Sequence, residues 1–227
     1  MAGRPSATHV GAPQRPVSEG DSVPPPPVTA ADRGREVRQR LLHAGAELIA
    51  ERGWSGVSTR AVAERAQVGP GLVHYHFASL GALLTQAALG TIETLTREMT
   101  AMLAAAATPE EALEGVMGAL DAYPGTDPTS LLFIETYLAA TRDEELMRGV
   151  AAIISSAREE LAGRLGDHGV PRPQETAAVL LAALDGLMLH RAAVPEPASG
   201  SVSPVLRRLL TDPETDHAST TPRRAHP

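Results

Sequence analysis

The sequence predicts an all-α fold in two parts: an N-terminal three-helix unit containing a helix-turn-helix, and a C-terminal helical bundle. Three observations predict it. Apolar residues recur at helical spacing through most of the interior. The breaks between these stretches carry Ser, Thr, Asp or Pro where helices start. No run of Val, Ile, Thr and aromatic residues bounded by turns marks a strand. The chain has 227 residues, 43% of them hydrophobic, which is enough to bury a sizeable core.

In chain order, residues 1–31 are rich in Pro, Ser, Gly and Ala, with four consecutive prolines at 24–27. Such a composition cannot bury enough apolar surface to order itself, so this stretch is expected to be a disordered tail. Residues 212–227 are expected to behave alike. Val37, Leu41, Leu42, Gly45, Leu48 and Ile49 mark the first helix, and Gly53 stops it. Ser58 is the expected N-cap of a short helix, Thr59–Ala66. A second short helix is expected from Pro70 into His76, with proline at its start. A long helix follows over 79–106. Thr108-Pro109-Glu110-Glu111 starts another, with acids in its first turn, which ends near Tyr123-Pro124-Gly125. Further helices are expected from Asp127-Pro128 onward, over 144–165 up to the glycines at 166 and 169, over 173–193, and from about Pro204 to Leu210. The domains expected are a small module over 35–95 and a helical body over 96–211.

The net charge of −7 argues against a generic nucleic-acid binder, but it is unevenly spread. Residues 31–90 carry seven Arg against five acids, a net of +2, whereas residues 91–227 carry eleven Arg against twenty acids, a net of −9. A mildly basic module on an acidic body suits a protein that contacts nucleic acid with one part only. Every cation is Arg. With no cysteine there is no disulfide framework and no thiolate metal site, which fits a cytoplasmic protein. No apolar run approaches the roughly 20 residues of a membrane span, and the N-terminus lacks the apolar stretch of a secretory signal.

Residues 58–77 read STRAVAERAQVGPGLVHYHF, two short helices joined by a tight turn. Ala63 and Ala66 allow close approach, and Val62, Val68 and Val73 close a small core. A helix presented in this way suits the DNA major groove. Thr59 can give its hydroxyl and backbone N–H to a phosphate, and Arg60 can reach a phosphate or the O6/N7 edge of guanine. Gly69, Pro70, Gly71 and Leu72 form the tip, where Leu72 can touch a thymine methyl, and His74, Tyr75 and His76 line the flank. The tip is poor in hydrogen-bonding side chains, so specificity would rest on Arg60, His74, Tyr75 and DNA shape. Arg33, Arg35, Arg38 and Arg40 form a basic arm that either contacts DNA or is a plain solvated face.

These residues carry a resemblance. The stretch from Arg35 to about Leu95 resembles the TetR-type (tetracycline-repressor-like) family of bacterial transcription regulators, through RQRLLHAGAELIAERG at 38–53 and through Thr59, Ala63, Val68, His76, Phe77 and Ala82-Leu83-Leu84. The resemblance implies a sequence-specific DNA-binding regulator, most often a repressor. It would be a homodimer on a pseudo-palindromic operator of double-stranded DNA, released by a small-molecule effector. It also implies a body that binds the effector and forms the dimer, with no cofactor, no metal and no membrane partner. The paired recognition helices would sit about 34–36 Å apart. Three positions depart from the family pattern: Gln67 where the turn usually has Gly, His74 where a Tyr usually meets a phosphate, and Leu80 where a Lys usually does. An alternative is therefore a helical small-molecule-binding or interaction protein whose DNA module has weakened.

In the body, Met102, Met117, Tyr123, Phe133, Glu135 and Tyr137 are candidate pocket residues, with simple core packing the better reading of each. Glu135, inside LLFIETYLAA, needs a partner, either an Arg of the bundle or a ligand. By the resemblance, the helix over 173–193 packs against its dimer mate, with Leu181, Leu184, Asp185, Gly186, Met188 and Leu189 as candidate interface residues. No nucleophile–base pair, phosphate loop or metal spacing appears, so no enzymatic activity is expected. His74 and His76 are two apart on a helix and share no face.

Overall fold

Local capping sets out the helices. In the computed structural model, which describes residues 29–194 and 199–211, nine α-helices follow one another: α1 Ala30–Arg52, α2 Thr59–Arg65, α3 Gly71–His76, α4 Leu80–Ala105, α5 Pro109–Leu120, α6 Pro128–Ala140, α7 Glu144–Asp167, α8 Pro173–Arg191 and α9 Ser199–Arg207. Short 3-10 turns occupy Trp54–Gly56 and Arg208–Leu210. Ser58, Ser79, Thr108, Asp127 and Asp143 each accept a hydrogen bond from the first turn of the helix that follows. These are the partners that the unpaired N–H groups of a helix start require. No helix among the described residues is long and apolar enough to cross a membrane.

Two expectations need correction. The expected tail at 1–31 ends early: Thr29 and Asp32 form a capping box, so Ala30 and Ala31 are already helical. The rest of that tail, and residues 212–227, lie outside the described residues. The last helix starts at Ser199, five residues before Pro204, which sits inside it. The boundary expected at 95/96 lies inside the long helix expected over 79–106, which is present as α4, unbroken over Leu80–Ala105.

Apolar side chains gather into connected cores. The first is built from Leu41, Leu48, Ile49, Val62, Val73, Phe77 and Leu83 of α1–α4, with Leu132 of α6 joining it from the body. Gly45 allows α1 to lie this close to α4, because a Cβ there would stand 2.7 Å from Leu83 Cδ2. The second core, in the body, joins Leu113 and Met117 of α5 to Leu165, Leu180 and Leu206 of α7, α8 and α9. Trp54 packs against the first core, as its place after α1 predicts, and also against a smaller cluster around Leu146 and Val150 of α7.

Candidate nucleic-acid interface and effector cavity

The helix-turn-helix is held from within by small and β-branched residues. Val62 and Val73 are fully buried, Ala63 and Ala66 nearly so, and Val68 packs half-buried beside them. Ser58 Oγ accepts from the N–H of Ala61 at 3.2 Å. The turn is tight because Gln67 adopts φ 55, a left-handed conformation, and the N–H of Val68 then bonds back to the carbonyl of Ala63 at 3.0 Å. Arg65 of α2 reaches back to α1, donating to Glu47 at 3.0 Å and to both oxygens of Glu51 at 2.8 and 2.7 Å. That contact holds the Glu51 carboxyl below its ordinary range, and it spends the Arg65 cation on fixing α2 to α1.

What remains facing outward is the sequence-predicted tip. Gly69, Pro70, Gly71, Leu72 and His74 are exposed, and Tyr75 is 80% exposed. Pro70 serves as N-cap with no side-chain bond, so α3 begins one residue later than expected. The Tyr75 and His76 rings meet edge to face at 5.0 Å. Thr59 is half-buried at the start of α2. Arg60 is exposed but brings its own counter-ion: its Nε donates to Glu64 Oε1 at 2.8 Å, which also raises the basicity of the guanidinium.

The arginines expected to form an arm belong to α1 instead. Arg35 pairs with Asp32, and Arg38 donates to Gln86 Oε1 while lying 4.9 Å from the centroid of the Phe77 ring. Arg38 therefore braces the junction between α3 and α4. Leu80, the first residue of α4, packs half-buried against the first core.

In the body, a cavity of about 520 Å³ opens between α4, α5, α7 and α8. Its walls include Leu103, Leu113, Val116, Leu161 and Leu180, with Arg164 as a charged side chain among them. None of the six expected pocket residues lines it. Met117 is buried in the second core, Met102 and Tyr137 are exposed, and Tyr123 and Phe133 are half-buried elsewhere. Glu135 finds its partner in a backbone group rather than an arginine: its Oε2 accepts the backbone N–H of Trp54 at 2.9 Å. Leu181 and Leu184, expected on a dimer face, line the cavity. Of the remaining interface candidates, Leu189 is 50% exposed, Asp185 is exposed, and Gly186 and Met188 are half-buried.

The cavity went unforeseen because four helices must pack before it exists. One signal was present. Leu161, Arg164 and Leu165 fall at helical spacing on one stripe of α7, and an arginine interrupting an apolar stripe is worth noting.

Comparison with known proteins agrees with this architecture. Residues 41–87 match the family described as bacterial regulatory proteins, tetR family, and residues 107–212 match the tetracyclin repressor-like C-terminal domain. Curated relatives from Mycobacterium bovis and Mycobacterium tuberculosis, named as uncharacterized HTH-type transcriptional regulators, are 27% identical over 191 residues, covering 81% of this chain and 97% of theirs. A crystal structure of a transcriptional regulator from Streptomyces coelicolor is 30% identical, with a TM-score of 0.67, and the match covers 78% of this chain and 99% of that one. The chain belongs to the TetR family. The structure of the multidrug binding protein EbrR, complexed with imidazole, is 29% identical with a TM-score of 0.60, covering 79% of this chain and 97% of that one.

As a TetR-family protein, the chain is a DNA-binding transcriptional regulator and not an enzyme. Regulators of this family bind their operators as dimers and respond to small molecules. Within that frame, the three departures acquire a geometry. Gln67 does hold the left-handed turn, His74 stands exposed on the recognition helix α3, and Leu80 is turned toward the core.

Proposed function

We propose that this regulator is a cytoplasmic repressor that holds a pseudo-palindromic operator as a homodimer and leaves it when a small molecule enters the body cavity. The observation that carries the reading is the continuity of α4. Its first residue, Leu80, packs beside the recognition helix, while Met99 and Leu103, near its far end, line the cavity. A ligand that displaces the far end of one unbroken helix moves the other end, and a few ångströms misplace two helices that must sit about 34–36 Å apart. Thr59, Arg60, Gly69, Pro70, Gly71, Leu72, His74, Tyr75 and His76 are the proposed contacts to DNA. The exposed part of α8, around Asp185, Gly186, Met188 and Leu189, is the proposed contact to the second copy.

The test is an electrophoretic mobility shift with DNA from upstream of the protein's own coding region. A retarded species containing two copies of the chain is expected at low salt. A properly dimeric sample that shifts no such DNA would favour the alternative, a helical ligand-binding protein with a weakened DNA module.

A further inference from the structure

The chemistry of the cavity wall narrows the ligand class, on the reading that this cavity is the effector site. Its volume, about 520 Å³, lies within the range of about 300–1,000 Å³ common to small-molecule sites. Eight leucines, Val116 and several alanines supply its apolar lining, and Glu159, Glu160, Asp167, His168 and three threonines lie on it as well. Arg164 is the one arginine among them. Its side chain is only 34% exposed, and among the described residues its guanidinium makes no hydrogen bond. Its Nε is fully buried with no acceptor. The nearest acid, Glu160, stands at 3.9 Å, beyond hydrogen-bonding reach.

A guanidinium offers five donors in a fixed fork, and leaving buried donors unpaired is costly. The other arginines that tie helices together in this protein are satisfied: Arg65 holds Glu47 and Glu51, and Arg191 holds Asp121. Arg164 thus stands out as a half-buried cation on the cavity wall whose buried Nε has no acceptor and whose nearest acid is held only loosely. We propose that the cavity takes an amphipathic monoanion, an organic acid whose apolar chain lies along the leucine-lined walls and whose carboxylate is received by Arg164. The planar fork matches a carboxylate in two parallel hydrogen bonds. Glu159, Glu160 and Asp167 also border the cavity, and they would instead attract an amphipathic cation. All three are exposed at the solvent side of α7, where water keeps them solvated and an ion pair is worth little.

The test uses the full chain and three probes of equal chain length: decanoate, decan-1-ol and decyltrimethylammonium, with binding read by isothermal titration calorimetry. Decanoate is expected to bind most tightly. Arg164→Met is expected to weaken decanoate by about tenfold or more while leaving decanol unchanged, and Arg164→Lys is expected to weaken it less. Three outcomes overturn the proposal: tighter binding of the ammonium probe, no preference for decanoate over decanol, or no binding of any probe. The wild-type ranking decides even if Arg164→Met does not fold. Operator release is measured separately. Decanoate that binds through Arg164 without releasing DNA would refute the effector reading and leave the ligand class standing.

Discussion

At Gln67 the backbone adopts φ 55, in the region where a side chain crowds the following carbonyl. The turn needs that conformation, because it lets the N–H of Val68 return to Ala63 and brings Val73 onto Val62. An L-residue there costs roughly 1–2 kcal/mol, and glycine would recover this less about 0.5–1 kcal/mol of its own backbone entropy. Gln67→Gly is therefore expected to stabilise the protein by about 0.5–1 kcal/mol, a rise of roughly 1–4 °C in Tm for a domain of this size. Thermal unfolding of the free protein measures it. A lower Tm in the variant would mean that the Gln67 side chain contributes more than its backbone costs. Position 53 shows the converse. Gly53 has φ 72, and a Cβ there would also stand 3.1 Å from Glu135 Oε2, so glycine is required on two counts.

At the level of elements, the contact between Glu135 and Trp54 joins α6 of the body to the turn that follows α1. Leu132, one helical turn earlier, enters the first core from the same helix. α6 thus docks on the DNA-binding unit by an apolar and a charged contact, and Trp54 also packs against Leu146 and Val150 of α7. Glu135→Ala leaves a part-buried N–H unpaired and is expected to cost about 1–3 kcal/mol, whereas Glu135→Gln keeps an acceptor and should cost less. Urea unfolding gives the two differences, and faster hydrogen exchange at the Trp54 amide locates the loss. Equal stability of both variants with the wild type would show that water replaces the carboxylate at no cost. The helix starts were legible in the sequence because capping is local: Ser58, Ser79, Thr108 and Asp127 each bond a residue three positions on. The partner of Glu135 was not, since it lies 81 residues away and is a backbone group with no sequence signature. The cavity was illegible for the same reason. Aromatic and methionine residues were a poor local hint of a pocket: Met117 is drawn into the second core and Tyr137 faces out.

For the whole molecule, the question is how an acidic protein holds a polyanion. Its net charge is −7, so long-range attraction cannot supply the affinity, and binding must rest on a few placed contacts. Several cations near the module already have partners: Arg65 is committed to α1, Arg60 is paired with Glu64, and Arg38 braces α4. At Leu80, where the family resemblance implies a lysine on a phosphate, the side chain packs on the core. That phosphate contact is then expected to be missing from each subunit. Leu80→Lys can restore it, because a lysine stem covers the same apolar surface while its ammonium turns outward. A cation at the start of α4 opposes the helix dipole by about 0.3–1 kcal/mol, but that cost falls on folding and leaves the salt dependence untouched. One added contact per subunit makes two in the dimer, so the plot of log K against log salt should steepen by about 1.8. Fluorescence anisotropy on the operator between low and physiological salt measures the slope, with Leu80→Met as the control for altered packing. Parallel lines for wild type and Leu80→Lys would mean that position 80 does not approach the phosphates. His74 and the Arg60–Glu64 pair would then be the next positions at which to look for a weakened grip.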